Sequence, residues 1–202
     1  MGKIFLNGEE YGSGGIKFTQ YDYASFDNTN VKLPLTVDSS HTVEFGFDVN
    51  GYVSAMALYG TDGQNSQFYQ SLIMYYNSYA CGSGANSEVI FGTTADCTGR
   101  HTFKCGPDGI YFDNTRINNY TGVTKNTASY YIGHRGNGAN DYKAKINYFK
   151  ILDGNNSPII DIVPAKLEME LNNEMISINY GLLDKVSGNW YRNDKITYGN
   201  YT

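Results

Sequence analysis

Paired carboxylates are the first chemistry to test in this chain. Retaining hydrolysis of a glycosidic bond needs a nucleophile and an acid about 5 Å apart in one cleft. A spacing such as E-x-D-x-x-E on one strand supplies them. Glu168 and Glu170 share a strand parity, with Glu174 beyond, but Met169 stands between them and the Asp of the pattern is missing. Glu44 and Asp48 also share a parity within HTVEFGFD, where they fall on the solvent side of a half-buried strand. Both sets read as polar strand faces, and the chain is expected not to be an enzyme.

Other reactive side chains are scattered. His41, His101 and His134 have no carboxylate, Ser or Cys partner at a readable spacing and are expected at the surface or at strand ends. Of the three cysteines, Cys97 and Cys105 are close enough to meet across a hairpin, so a disulfide there stays open. An odd count otherwise reads as small apolar strand residues. Cys81, in YACGSG, has no neighbour that would lower its pKa. No phosphate-binding loop, dinucleotide fingerprint or HExxH is present. A sugar site needs an exposed aromatic plane with amide and carboxylate partners, and Tyr75, Tyr76 and Tyr79, beside a Gly-rich loop, are the glycan candidates. Asp62 with Asn65, or Asn137 with Asn140 and Asp141, have the oxygens for Ca²⁺. Asn and Asp are also the ordinary turn residues, so the expectation is no cofactor.

The elements that must position these residues are short strands. His41 to Asp48 alternates, with Val43, Phe45 and Phe47 on one side. Val53–Tyr59, Gln67–Tyr76, Glu88–Phe91, His101–Cys105, Gly109–Asp113, Ser129–Gly133 and Lys143–Asp153 follow. Turn signals separate several of them: Gly82-Ser83-Gly84, Gly106-Pro107-Asp108-Gly109 and Asp113-Asn114. No window carries an apolar helical stripe. Ten to fourteen such strands predict an all-β, two-sheet antiparallel jelly-roll sandwich. Its core is expected to hold Val43, Phe45, Phe47, Met56, Leu58, Ile90, Phe103, Tyr111, Ile132, Ile146, Phe149 and Ile151.

Composition agrees. The 202 residues include 23 Gly and 19 Tyr, and only 17% are charged. Tyr favours strands and Gly favours turns. A net charge of −5 argues against nucleic acid as the main partner, because a phosphate footprint needs clustered Lys and Arg. After MGKIFLNG come Glu9 and Glu10, which break any signal-peptide run, and no segment is long and apolar enough for a membrane helix. No membrane association is expected.

Three segments carry a family likeness. Tyr130–Asp153, YYIGHRGNGANDYKAKINYFKILD, has a strand ending Y-I-G, a Gly/Asn turn and a strand of the form K-I-x-x-F-K-I-x-D. Ile159–Lys166, IIDIVPAK, and Gly181–Asn193, GLLDKVSGNWYRN, add D-x-V-P-A and G-L-x-D-x-V-S-G-x-x-Y-x-N. These resemble LamG-like jelly rolls of the concanavalin A-like lectin/glucanase superfamily, of the kind found in structural proteins of tailed phages. Lys3–Tyr11, KIFLNGEEY, resembles the opening strand of phage head-fibre, minor capsid and tail proteins. The pattern is departed from at Leu167–Asn179, where LEMELNNEMISIN replaces a shorter connection.

The resemblance implies residues 1–15 as a docking strand with a Gly12–Gly15 hinge, 16–165 as the jelly roll and 166–202 as an extension that completes or wraps it. It implies a structural or adhesive virion protein assembled in the host cytoplasm. Its partners would be other virion proteins, copies of itself or a host-surface glycan. The alternative is a lectin-like carbohydrate-binding module on a bacterial surface.

Overall fold

Period-two alternation becomes strand along nearly the whole described chain. This computed structural model describes residues 4–6, 9–11, 16–27, 29–36, 38–50, 55–61, 70–75, 78–83, 88–92, 98–118, 129–133, 144–171 and 174–202. They form β1 (Ile4–Leu6), β2 (Glu9–Tyr11), β3 (Ile16–Gln20), β4 (Tyr23–Phe26), β5 (Val31–Thr36), β6 (Thr42–Asn50), β7 (Ala55–Thr61), β8 (Gln70–Tyr75), β9 (Ser78–Ser83) and β10 (Glu88–Phe91). The second half gives β11 (Thr98–Gly106), β12 (Gly109–Phe112), β13 (Thr115–Asn118), β14 (Ser129–Ile132), β15 (Lys145–Leu152), β16 (Pro158–Leu171), β17 (Glu174–Asp184), β18 (Trp190–Tyr191) and β19 (Ile196–Gly199). Among the described residues no helix is long and apolar enough to cross a membrane.

The fold is an all-β, two-sheet antiparallel jelly-roll sandwich. The smaller sheet runs β10-β9-β8-β7-β14-β5. The larger runs β13-β12-β11-β6-β15-β16-β17-β18, with β3 also on β16, β4 on β15 and β19 on β4. Among the described residues β1 and β2 pair only with each other, Ile4 opposite Tyr11, as a hairpin apart from both sheets. Turn chemistry fixes two links of the larger sheet. Pro107-Asp108 joins β11 to β12, and Asp113-Asn114, with φ of 46° and 63°, makes the left-handed two-residue turn that a tight hairpin requires.

The core lies between the sheets. Val43, Phe45, Phe47, Phe103, Phe112 and Phe149 face Leu33, Leu58, Leu72, Tyr79, Tyr130 and Ile132. Tyr79 of the smaller sheet meets Phe47 edge-on at 5.9 Å and Phe112 at 5.2 Å. Each such ring adds roughly 1.5–3 kcal/mol by leaving water. Of the expected core, nine residues are buried: Val43, Phe45, Phe47, Leu58, Phe103, Ile132, Ile146, Phe149 and Ile151. The side chains of Met56 and Ile90 lie outside the described residues.

Tyr111 is a correction. Its neighbours Ile110 and Phe112 fill the core, and Tyr111 is turned to the outer face. The run GIYF is apolar on both parities, so alternation alone does not choose. β15 is a second instructive case. A register shift between Ile146 and Tyr148 inserts Asn147 as an extra residue. That bulge lets Ile146 on one parity and Phe149 and Ile151 on the other all point inward.

β16 runs unbroken through position 165, first along β15 and then along β3. Pro164 stands where the neighbour changes, so its missing N–H removes no ladder bond. β17, β18 and β19 extend the larger sheet, and Ile196 reaches the core. The 181–193 motif is a turn-building device. Asp184 is fully buried and accepts from the amides of Asp161 and Val186 and the hydroxyl of Ser187. Gly181, at φ 154°, leaves the room that a Cβ would take 2.7 Å from the Tyr191 carbonyl.

Candidate functional site

Burial of Val43, Phe45, Phe47 and Val49 turns Glu44, Gly46 and Asp48 to the outer face of the larger sheet. Register then builds rows across the strands. Arg116, Tyr111, Lys104, Glu44, Lys150 and Asp161 are successive cross-strand partners on β13, β12, β11, β6, β15 and β16. The next row is Thr102, Gly46 and Tyr148, and the next is Arg100, Asp48 and Lys145.

A cleft of about 320 Å³ opens on the first two rows, lined by Glu44, Thr102, Lys104, Tyr111, Asn114 and Tyr148. Tyr148 lies across the strand only because residue 46 is glycine. A Cβ there would stand 2.7 Å from Tyr148 Cε1. The Tyr148 hydroxyl donates to Glu44 Oε1 at 3.2 Å. Burial above all, then the Glu44 charge and hydrogen bond, push this phenol up to about 12. Lys150 Nζ sits 5.4 Å from the Tyr148 ring centre.

Tyr111 is the second aromatic of the lining. Lys104 Nζ lies 5.7 Å from its ring centre and the Arg116 guanidinium 6.0 Å. The Tyr111 hydroxyl and Arg116 Nη2 both donate to the Asp108 carbonyl, at 3.3 and 2.7 Å. Asp113 ties the rim down. Its Oδ1 accepts from the Thr102 amide at 2.8 Å, and its Oδ2 meets His101 Nδ1 at 2.7 Å. His101 also reaches the Thr98 carbonyl and stacks on Phe112 at 4.8 Å. Asn114, next in this fixed turn, is thereby held at the cleft.

The third row is already covered by the chain itself. The Arg100 guanidinium lies 3.3 Å from the Tyr201 ring centre, and Tyr23 meets the same ring at 5.1 Å. Asn147, the bulge residue, donates to the Tyr201 hydroxyl at 2.9 Å. The Tyr201 amide donates to Asp22 at 2.9 Å. Asp48 is 8% exposed and pushes the Tyr201 phenol upward, less than burial does.

Several expected site residues sit elsewhere. Tyr79 is wholly buried among Phe47, His101 and Phe112, so it has no face to offer a sugar. Tyr75 ends β8 opposite Ser78. Its side chain, and all of Tyr76, lie outside the described residues, as do Asp62, Asn65, His134, Asn137, Asn140, Asp141 and Cys97. Cys105 is a buried free thiol. Glu168 pairs with Lys166 at 2.6 Å, while the side chains of Cys81, Glu170 and Glu174 are not described. His41 is buried beside Tyr130 at the entry to β6, and burial holds its pKa down. His101 has the carboxylate partner that spacing concealed, because the β11–β12–β13 turns bring Asp113 back to it.

The cleft residues Lys104, Tyr111, Asn114 and Tyr148 were not legible as a set. One signal was present: Gly46 sits between Glu44 and Asp48 on a polar strand face, where glycine marks the close approach of another group.

No protein-family model and no curated protein matches the sequence. Solved structures similar in part include an uncharacterised protein from Mycobacterium paratuberculosis, at 15% identity over 74% of this chain and 84% of that one, TM-score 0.41. A beta-1,3-glucanase from Mycobacterium marinum has 13% identity over 60% and 66%, TM-score 0.36. The binding domain of botulinum neurotoxin DC, solved in complex with rat synaptotagmin II, has 10% identity over 85% and 71%, TM-score 0.40.

Proposed function

We propose that the protein is a non-catalytic, adhesive glycan-binding sandwich whose sugar site is the cleft between Tyr111 and Tyr148. One observation carries this reading. Two tyrosine rings, an amide (Asn114), a carboxylate (Glu44), an ammonium (Lys104) and a hydroxyl (Thr102) converge on one open cleft. Rings stack on the apolar faces of a sugar, and the polar groups match its hydroxyls. Binding is favoured over hydrolysis because Glu44 is the one acid in the lining. The carboxylates nearest to it by register and rim are engaged, Asp161 by Lys185 and Asp113 by His101 and the Thr102 amide. Among the described residues this leaves no second free carboxyl there for the pair that hydrolysis needs.

The finer setting we propose is the surface of a tailed-phage virion, with copies of the chain and other virion proteins as partners. A bacterial-surface lectin is the alternative. The sequence likeness of residues 3–11, 130–153, 159–166 and 181–193 supports the virion, and the separate β1–β2 hairpin suits a docking element. An unpaired strand edge gains main-chain bonds from a partner sheet.

The test is a glycan array probed with the full chain, then with Tyr111→Ala and Tyr148→Ala. Each variant should keep the wild-type melting profile within a few degrees and lose about tenfold in affinity, as stacking losses of 1–2 kcal/mol imply. Mixed β-glucans should yield no reducing sugar. Release of sugar that Glu44→Gln abolishes would make the cleft an active site instead. Removing residues 1–15 should leave a folded sandwich that no longer joins particles.

A further inference from the structure

The charge around the cleft is unlike that of the molecule. The chain carries −5 overall, and residues 51–97, which hold four of the six strands of the smaller sheet, contain no Lys or Arg. Yet the row through the cleft reads Arg116, Tyr111, Lys104, Glu44, Lys150. Glu44 is directly opposite both lysines, but its Oε1 is taken by the Tyr148 hydroxyl. Ion pairs between described residues are His101–Asp113, Lys166–Glu168 and Lys185–Asp161, and neither Lys104 nor Lys150 belongs to one. Asp161, the next carboxylate along the row, is held by Lys185 at 3.0 Å. Along this row Lys104, Lys150 and Arg116 outnumber the one acid, Glu44, and the Asp113 carboxylate at the rim is held by His101 and the Thr102 amide.

We infer that the sugar taken by this cleft is an acidic pyranose, carboxylated or sulfated, with its anion on Lys104 and its ring against Tyr111 and Tyr148. The inference rests on the reading of the cleft as a glycan site and adds the ligand's charge. Lys104 lines the cleft and lies over Tyr111, so an anion bound there brings its own ring beside that tyrosine. Lys150 and Arg116 flank the two rings from outside and add attraction along a polymer that crosses the strands. The carboxylate of Glu44 stays available, through Oε2, for a sugar hydroxyl. A duplex nucleic acid fits less well, since the cations are few and surrounded by a net-negative protein.

The experiment is calorimetric titration of the full chain with a tetramer of hexuronic acid, a sulfated tetraglucoside and a neutral tetraglucoside, at 20 mM and 500 mM NaCl. At low salt one acidic tetramer should bind about tenfold tighter than the neutral one, the worth of one charge-assisted contact. Which of the two acidic tetramers does so identifies the anion. High salt should shrink the ratio. Lys104→Gln should bring it close to one, and Lys104→Arg should restore it, both at wild-type melting temperature. Neutral sugar bound as tightly as either acid would overturn the inference and leave the glycan site standing. Binding of none of the three would overturn the site reading as well. A 12-bp duplex DNA bound more tightly than the acids would replace sugar with nucleic acid.

Discussion

At the turn between β17 and β18 the Asp184 carboxylate is fully buried and accepts from the amides of Asp161 and Val186 and the hydroxyl of Ser187. On β6, in the same sheet, Glu44 is half-buried, holds one phenol and faces an open cleft. The first acid accepts three hydrogen bonds from its own chain and is closed off from solvent. The second keeps capacity for something else. On the proposed reading of the cleft, engagement of a polar side chain by its own fold separates the structural acid from the binding one better than residue type or strand parity does.

Breaking the engaged side should have the largest effect. Asp184→Ala removes the shared acceptor of the Asp161 and Val186 amides and the Ser187 hydroxyl, all in part-buried bonds, and should remove about 2 kcal/mol of stability, read by urea unfolding. Sugar affinity of the folded protein should not move. A loss below about 0.5 kcal/mol would show that water replaces the carboxylate and would dissolve the contrast.

Gly46→Ala addresses the open side. Its Cβ would meet Tyr148 at 2.7 Å, so the ring must shift. A cost of about 1 kcal/mol is expected from crowding, with a loss of sugar affinity out of proportion to it. Unchanged affinity would mean that the position of Tyr148 is not what the ligand reads.

Alkaline titration sharpens the comparison further. Burial first pushes Tyr148 and Tyr198 from 10.0 up to about 12. Each raised phenol keeps its proton in the folded state while the unfolded chain loses it above pH 10. Stability from these groups is therefore whole below pH 10 and declines between pH 10 and 12. Tyr148→Phe should flatten part of that decline and remove one late-titrating phenol from the ultraviolet titration. The smallest effect belongs to Lys185→Ala. Its pair with Asp161 joins a lysine side chain 44% exposed, so under about 1 kcal/mol should be lost in thermal melts.

The sandwich was legible because HTVEFGFD alternates, because its counterparts are short apolar and aromatic runs between turns, and because Asp113-Asn114 and Pro107-Asp108 are turn pairs. Parity failed where the pattern is degenerate. GIYF is apolar on both sides, and the bulge at Asn147 reverses the alternation of β15 midway. The cleft was not legible for a different reason. Its lining comes from β6, β11, β15 and the β12–β13 hairpin, residues up to 104 positions apart that only cross-strand register unites. Tyr79, chosen for its setting beside a glycine-rich turn, proved to be core, because an aromatic strand residue is as useful between the sheets as outside them.

Amide chemical-shift mapping of the full chain, titrated with the tetramer that binds best, tests the location of the site most directly. The account predicts the largest shifts at Thr102 to Lys104, Tyr111, Asn114 and Tyr148, and little change at Asp184 to Asn189. Shifts concentrated on β7 to β10 of the smaller sheet, with the Tyr111–Tyr148 cleft silent, would contradict it.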